Sequence, residues 1–129
     1  MNGVTREFAS FVAVGAVATA AHYVVLFVLT EFVHWHPAIG ALLGAAVGAV
    51  VAYTLNRAYT FSVRPAYGRG LAKFAILAAI GAALNGLIVW GLVSLGLYYL
   101  WAQVAATGVT LIWNYLGSRL IVFRAEPGS

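Results

Sequence analysis

The feature that most constrains this chain is a series of four apolar segments separated by short polar or turn-forming stretches. They cover residues 8–30, 38–59, 71–95 and 98–123. Each is long enough to cross a hydrocarbon core about 30 Å thick, which takes about 20 helical residues. A soluble domain of 129 residues, 64% hydrophobic and 8% charged, could not cover this much apolar surface. The sequence therefore predicts an all-α integral membrane protein, with four transmembrane helices forming one domain over residues 1–129. The first segment exceeds the ~7–15 apolar residues of a cleaved signal, so we predict that it stays.

The basic residues predict how the helices are oriented. With four spans, every lysine and arginine falls on the same side of the membrane: Arg6, Arg57, Arg64, Arg69, Lys73, Arg119 and Arg124. Cytoplasmic segments carry the excess of basic residues in membrane proteins. Both termini and the central loop are therefore predicted to lie in the cytoplasm, and the protein in the cytoplasmic membrane. This orientation explains the net charge of +4, so we expect no nucleic-acid partner.

The two halves of the chain resemble each other, which predicts two parallel two-helix repeats at about residues 6–61 and 69–123. Arg6, Phe11, His22 and Leu29 precede Arg69, Phe74, Asn85 and Leu92 by 63 residues, and Tyr53, Arg57 and Phe61 precede Tyr115, Arg119 and Phe123 by 62. The second helix of each half also carries small or polar residues at four-residue spacing, beginning at Gly40 and Ala102. Such ridges let backbones approach closely. We expect the second and fourth helices to cross near the centre of the bundle.

Residues for covalent or metal chemistry are scarce. The chain has no cysteine, and its glutamates, Glu7, Glu31 and Glu126, lie at the edges of spans or near the chain end. An ion-coupling carboxylate inside a span and an acid–base pair are therefore both absent. His34 and His36 alone are a weak metal signal. We predict no enzymatic activity, no cofactor and no metal.

Arg57 and Arg119 are the leading candidates for binding, because they occupy matching places at the cytoplasmic ends of the second and fourth helices. The planar guanidinium can bind a phosphate through two hydrogen bonds. Asn56 and Ser118 precede them and can add hydrogen bonds. The alternative is that both arginines only anchor the helices at the interface. Two further basic residues, Arg69 and Lys73, can add to the positive electrostatic potential at this interface, with anionic lipid headgroups as partners.

Three polar residues are predicted to lie deeper in the membrane. Asn114 lies about 7.5 Å further in than Arg119, and its amide needs a polar partner there. His22 and Asn85 match in the two halves and fall near mid-membrane. These side chains either line a polar path or hydrogen-bond between helices.

Several of these residues carry a resemblance to a known family. The stretch from Tyr53 to Phe61, with Asn56-Arg57 followed by an aromatic residue and phenylalanine, resembles the helix-end pattern of the GtrA-like family. The opening from Phe11 to Gly15 is similar to the family's first helix. Asn114-Tyr115, Ser118-Arg119 and Phe123 resemble its last helix, although Ser118 stands where the second copy often has asparagine.

The resemblance implies a flippase or facilitator that moves a polyprenyl-phosphate-linked sugar across the membrane for cell-surface polysaccharide synthesis. A homo-oligomer is then expected, because four helices make a thin wall around a sugar. One alternative is a non-transporting partner that recruits a membrane glycosyltransferase. A second alternative, a small drug exporter, is disfavoured because the first span carries no carboxylate.

Overall fold

The computed structural model describes residues 2–125, and over this range the chain is all-α; Glu126 lies outside it. Four α-helices follow one another: α1, Gly3–Glu31; α2, Pro37–Leu55; α3, Tyr67–Ser94; and α4, Tyr99–Gly117. Two π-helical turns, Asn56–Thr60 and Ser118–Val122, continue α2 and α4. The helices form two compact units, Met1–Arg64 and Pro65–Ser129. The prediction of four helices is confirmed.

Three of the described helices are long and apolar enough to cross a membrane: α1, α2 with its π turn, and α3. In the most apolar window of α1 only 11% of the residues are buried, so most of its apolar surface is left for lipid. The fourth predicted span exists as a helix, but α4 does not meet the same criterion because polar residues such as Gln103 and Asn114 interrupt it. That α4 crosses the membrane stays a prediction.

In the first unit, α2 packs against α1 through a ridge of glycines. A Cβ atom on Gly44 would lie 2.6 Å from the carbonyl oxygen of His22, and one on Gly48 would lie 3.1 Å from that of Ala18. The absence of side chains therefore lets the two backbones meet. The prediction that this ridge meets the fourth helix is wrong about the neighbour these glycines touch, which is α1. Four-residue spacing identifies a packing face without its partner.

In the second unit, glycines of both helices take part in the contact. A Cβ on Gly117 of α4 would lie 2.9 Å from Leu77 Cδ1. The Trp113 indole N–H donates a hydrogen bond of 3.0 Å to the Leu77 carbonyl oxygen. Ala102 and Ala106 are fully buried in this unit. The packing of α4 on α3 thus combines small residues with one hydrogen bond between the helices.

The start of α2 explains one of the two loop histidines. Pro37 occupies the first turn, where its missing N–H costs no hydrogen bond. His36 precedes it as the N-cap, and its Nδ1 accepts a hydrogen bond of 3.0 Å from the Ala38 N–H. The imidazole therefore satisfies one of the free N–H groups of the helix start.

Candidate functional site

Both candidate arginines lie in π-helical turns. In the first turn the Phe61 N–H donates to the Asn56 carbonyl oxygen at 3.0 Å, and in the second the Phe123 N–H donates to the Ser118 carbonyl oxygen at 2.8 Å. Each bond spans five residues, so the helix widens at its end. Such turns are rare and are often found at functional sites. Each has the candidate arginine at its second position.

The residue that opens each turn buries a polar oxygen. Asn56 and Ser118 are each 1% exposed. Asn56 Oδ1 and Ser118 Oγ have no hydrogen-bond partner among the described residues. A buried polar atom without a hydrogen-bond partner costs about 1–3 kcal/mol of stability. Packing alone gives no reason to retain such an atom. Each π turn therefore opens on a buried polar oxygen that the packing of its own unit leaves without a hydrogen-bond partner among the described residues.

The arginines themselves sit at the surface of their units. Arg57 is half-buried and Arg119 is exposed. One helical turn earlier, Tyr53 and Tyr115 are buried, and Arg119 Nη1 lies 3.5 Å from the Tyr115 hydroxyl oxygen, to which it donates. The buried tyrosines lie one turn before arginines that keep part of their surface exposed within their own units.

Arg64 braces the first π turn. Its Nε donates to the Arg57 carbonyl oxygen at 3.1 Å, and its Nη2 donates to the Ala58 carbonyl oxygen at 3.0 Å. Carbonyl groups at a helix end otherwise need solvent or a cap. The side chain of Arg64 is thus engaged with the backbone that carries Arg57, a role the sequence analysis did not anticipate.

The first turn is also held against α1. The Ser10 and Thr60 hydroxyl oxygens lie 2.7 Å apart in a hydrogen bond. The rings of Phe11 and Phe61 meet edge to face, with centroids 6.4 Å apart, a favourable aromatic geometry. These contacts connect the Phe11 segment with the end of α2.

The mid-helix candidates find neighbours within their own units. His22 packs on Gly44 and its ring lies 5.6 Å from that of Tyr23. Asn85 Oδ1 accepts a hydrogen bond of 3.0 Å from Gln103 Nε2. Gln103 is not among the predicted site residues, although a lone glutamine in an apolar helix is a signal that can identify it.

Asn114 is accommodated by a glycine on the facing helix. A Cβ on Gly81 would lie 2.9 Å from Asn114 Oδ1, so a larger residue at position 81 would require the amide to shift. This oxygen is buried and has no hydrogen-bond partner among the described residues. Asn114 thus lies on α4 one turn before Ser118 and Arg119, which begin the π turn.

The auxiliary basic residues lie in the first two turns of α3. Arg69 is exposed and Lys73 is half-buried. In the first unit Asn56 and Arg57 open the π turn, whereas His22 lies in the contact between α1 and α2. The predicted site residues thus separate into a helix-end group and a mid-helix group in each unit.

An open apolar groove of about 390 Å³ runs along the second unit. It is bounded by side chains of α3, α4 and the second π turn, among them Leu77, Leu84, Ile112, Leu116 and Leu120. Leu120 directly follows Arg119 in sequence. A cation and a groove that suits an alkyl or prenyl chain therefore lie next to each other along the chain.

Comparison with known proteins identifies the family. The model of the family described as GtrA/DPMS, transmembrane domain, matches residues 10–123. The chain belongs to this family, as the Asn56-Arg57 and Ser118-Arg119 segments predicted. No curated protein matches the chain. Membership indicates a multi-pass membrane protein involved in the handling of lipid-linked sugars.

Proposed function

We propose that this protein is a flippase or facilitator that moves a polyprenyl-phosphate-linked sugar across the cytoplasmic membrane, without covalent chemistry. The observation that carries the proposal is the pair of π turns, each with an arginine beside a buried oxygen that has no hydrogen-bond partner among the described residues. Together with the family, this arrangement suits a ligand with an anionic group and further hydrogen-bonding groups.

In the proposed topology α1 to α4 all cross the membrane as two parallel repeats. Every basic residue then lies on the cytoplasmic side. The π turns start at residues 56 and 118, a separation of 62 that equals the spacing of the sequence repeat. Since the chain has no cysteine, single substitutions such as Ser62→Cys and Leu97→Cys test the topology by labelling. We expect impermeant reagents to reach position 62 from the cytoplasm and position 97 from outside.

The residues proposed to bind phosphate at the cytoplasmic interface are Arg57 in the first unit and Arg119 in the second. Arginine forms short charge-assisted hydrogen bonds to phosphate. Asn56 and Ser118 supply acceptors for hydroxyl groups near the phosphate, and Arg69 and Lys73 raise the local positive potential. The prenyl chain stays in the lipid and along the apolar groove that follows Arg119.

The sugar crosses the membrane along polar side chains in the middle parts of the helices. His22, Asn85 and Asn114 offer hydrogen bonds that replace part of the water lost by the sugar. Because four helices enclose little space, we propose that the working form is a homo-oligomer. Contact with a glycosyltransferase that makes or uses the lipid-linked sugar fits the same role.

The test is leaflet transfer of a short-chain polyprenyl-phosphate sugar in vesicles, with the double variant Arg57→Ala, Arg119→Ala. We expect at least a tenfold slower transfer, since each lost charge-assisted pair costs about 1.5–3 kcal/mol. The double variant Arg6→Ala, Arg124→Ala is the matched control, because it removes the same two charges from exposed positions at the start of α1 and after the second π turn. Equal rates for the two double variants would exclude the phosphate site. A wild-type protein that moves no lipid but copurifies with a glycosyltransferase would support the recruiting role instead.

A further inference from the structure

A polar cluster lies on the second unit, away from the π turn. Gln103 Nε2 donates to Asn85 Oδ1 and to Thr107 Oγ1, both at 3.0 Å. These bonds use both N–H groups of the glutamine amide. Gln103 Oε1 and the amide nitrogen of Asn85 have no partner among the described residues. One acceptor and two N–H donors are therefore left side by side.

The surroundings of this cluster are apolar. Gln103 and Thr107 are exposed, and so are their neighbours Leu100 and Val104 at 51% and 62%. Gln103 lies about 6 Å along α4 from its first residue. If α4 spans the membrane, this depth is just inside the hydrocarbon, where each unsatisfied polar group costs several kcal/mol. The free amide groups therefore require a polar partner from outside the unit.

Packing of a two-helix unit does not require these amides. The residues 62 positions earlier on α2 are Ala41 and Ala45, in place of Gln103 and Thr107. The unit formed by α1 and α2 is nevertheless compact. The polar cluster is thus a feature of the second unit alone, which points to a role in binding.

We propose that Asn85, Gln103 and Thr107 form a hydroxyl-binding site that receives the sugar of the lipid-linked substrate in the outer half of the membrane. This inference rests on the proposed function and names a site for one part of its substrate. A sugar hydroxyl both donates and accepts, so it can bond to the Gln103 oxygen and the Asn85 amide together.

The site is suited to the sugar and unsuited to the phosphate. No lysine or arginine occurs between Lys73 and Arg119, so the cluster has no positive charge of its own to stabilise an anion. The exposed Gln103 oxygen would repel phosphate oxygens. In this division of roles the π-turn arginines hold the phosphate and the amide cluster holds the sugar.

The test compares two lipids in the leaflet-transfer assay, a polyprenyl-phosphate sugar and the same polyprenyl phosphate without sugar. We expect the wild type to move the sugar lipid faster, and Gln103→Leu to reduce that preference about tenfold, which corresponds to ~1.4 kcal/mol. Thr107→Val should act in the same direction. Thr19→Val is the matched control, because Thr19 is an exposed threonine of α1 bonded to its own helix at the Gly15 carbonyl oxygen.

The outcomes separate the two proposals. If Gln103→Leu keeps the wild-type preference, or if the wild type has none, the hydroxyl site is excluded while the flippase function stands. If Gln103→Leu slows the transfer of both lipids equally and changes the pattern of cross-linked oligomers, the cluster would instead be assigned to contact with a second copy of this chain. If the wild type moves neither lipid, the proposed function fails and the hydroxyl site with it.

Discussion

Replacing Gly44 by alanine gives the sharpest test of how α1 and α2 pack. The new Cβ would lie 2.6 Å from the His22 carbonyl oxygen and 2.5 Å from its imidazole Cδ2, whereas ordinary contacts begin at 3.4 Å. One helix must therefore move by about 0.8 Å. Overpacking of this kind costs about 1–3 kcal/mol.

Gly15→Ala is the matched control, because a Cβ on this glycine of α1 would meet nothing within 4 Å. Alanine is favoured over glycine inside a helix by about 0.8–1 kcal/mol, so this variant should be as stable as the wild type or more so. Gly44→Ala gains the same helix propensity, so we expect the two variants to differ by the cost of overpacking, about 1–3 kcal/mol.

Unfolding in detergent by a denaturing surfactant, followed by far-ultraviolet circular dichroism, measures this difference. The double variant Gly44→Ala, His22→Ala adds a second check, since it removes the imidazole but leaves the carbonyl oxygen in place. We expect it to regain only part of the lost stability. A Gly44→Ala protein as stable as Gly15→Ala would refute the close contact between α1 and α2.

Three further substitutions probe the helix ends and the second unit. Ser118→Ala removes a buried oxygen that has no hydrogen-bond partner among the described residues. The stability of the protein should therefore stay level or rise by about 1–3 kcal/mol, while leaflet transfer slows. A stable variant with the wild-type rate of transfer would contradict a binding role for Ser118. Arg64→Ala exposes two carbonyl groups of the first π turn, and faster amide hydrogen exchange at Tyr59 and Thr60 is expected, with exchange in α3 as the internal control. Trp113→Phe deletes the bond to the Leu77 carbonyl and should lower stability in detergent by about 0.5–1.5 kcal/mol; no loss would show that this bond contributes nothing.

The helices and the family were predictable because apolar length and the Asn56-Arg57 and Ser118-Arg119 patterns are properties of short segments. The apolar runs predicted where each helix lies to within a few residues, although α1 begins earlier, at Gly3, than the predicted span. The matching positions of residues 56 and 118 also indicated where the candidate site lies in each half.

Other features depend on contacts that spacing cannot specify. The ridge of Gly40, Gly44 and Gly48 predicts a close helix contact, but only the folded unit shows that α1 supplies the other side. Hydropathy carries no signal for a change from four-residue to five-residue hydrogen bonds, so the π turns were not predicted. The repeat does not predict Gln103 as the partner of Asn85, because the matching position in the first half is alanine.

The central claim is that this chain, by itself, moves a lipid-linked sugar between leaflets. The most direct measurement is the initial rate of leaflet transfer of a fluorescent polyprenyl-phosphate sugar in vesicles that contain only the purified wild-type protein, over a series of protein-to-lipid ratios. We expect a rate that rises with the amount of protein and exceeds that of protein-free vesicles. A rate that stays at the protein-free level at every ratio, with the protein folded, would contradict it.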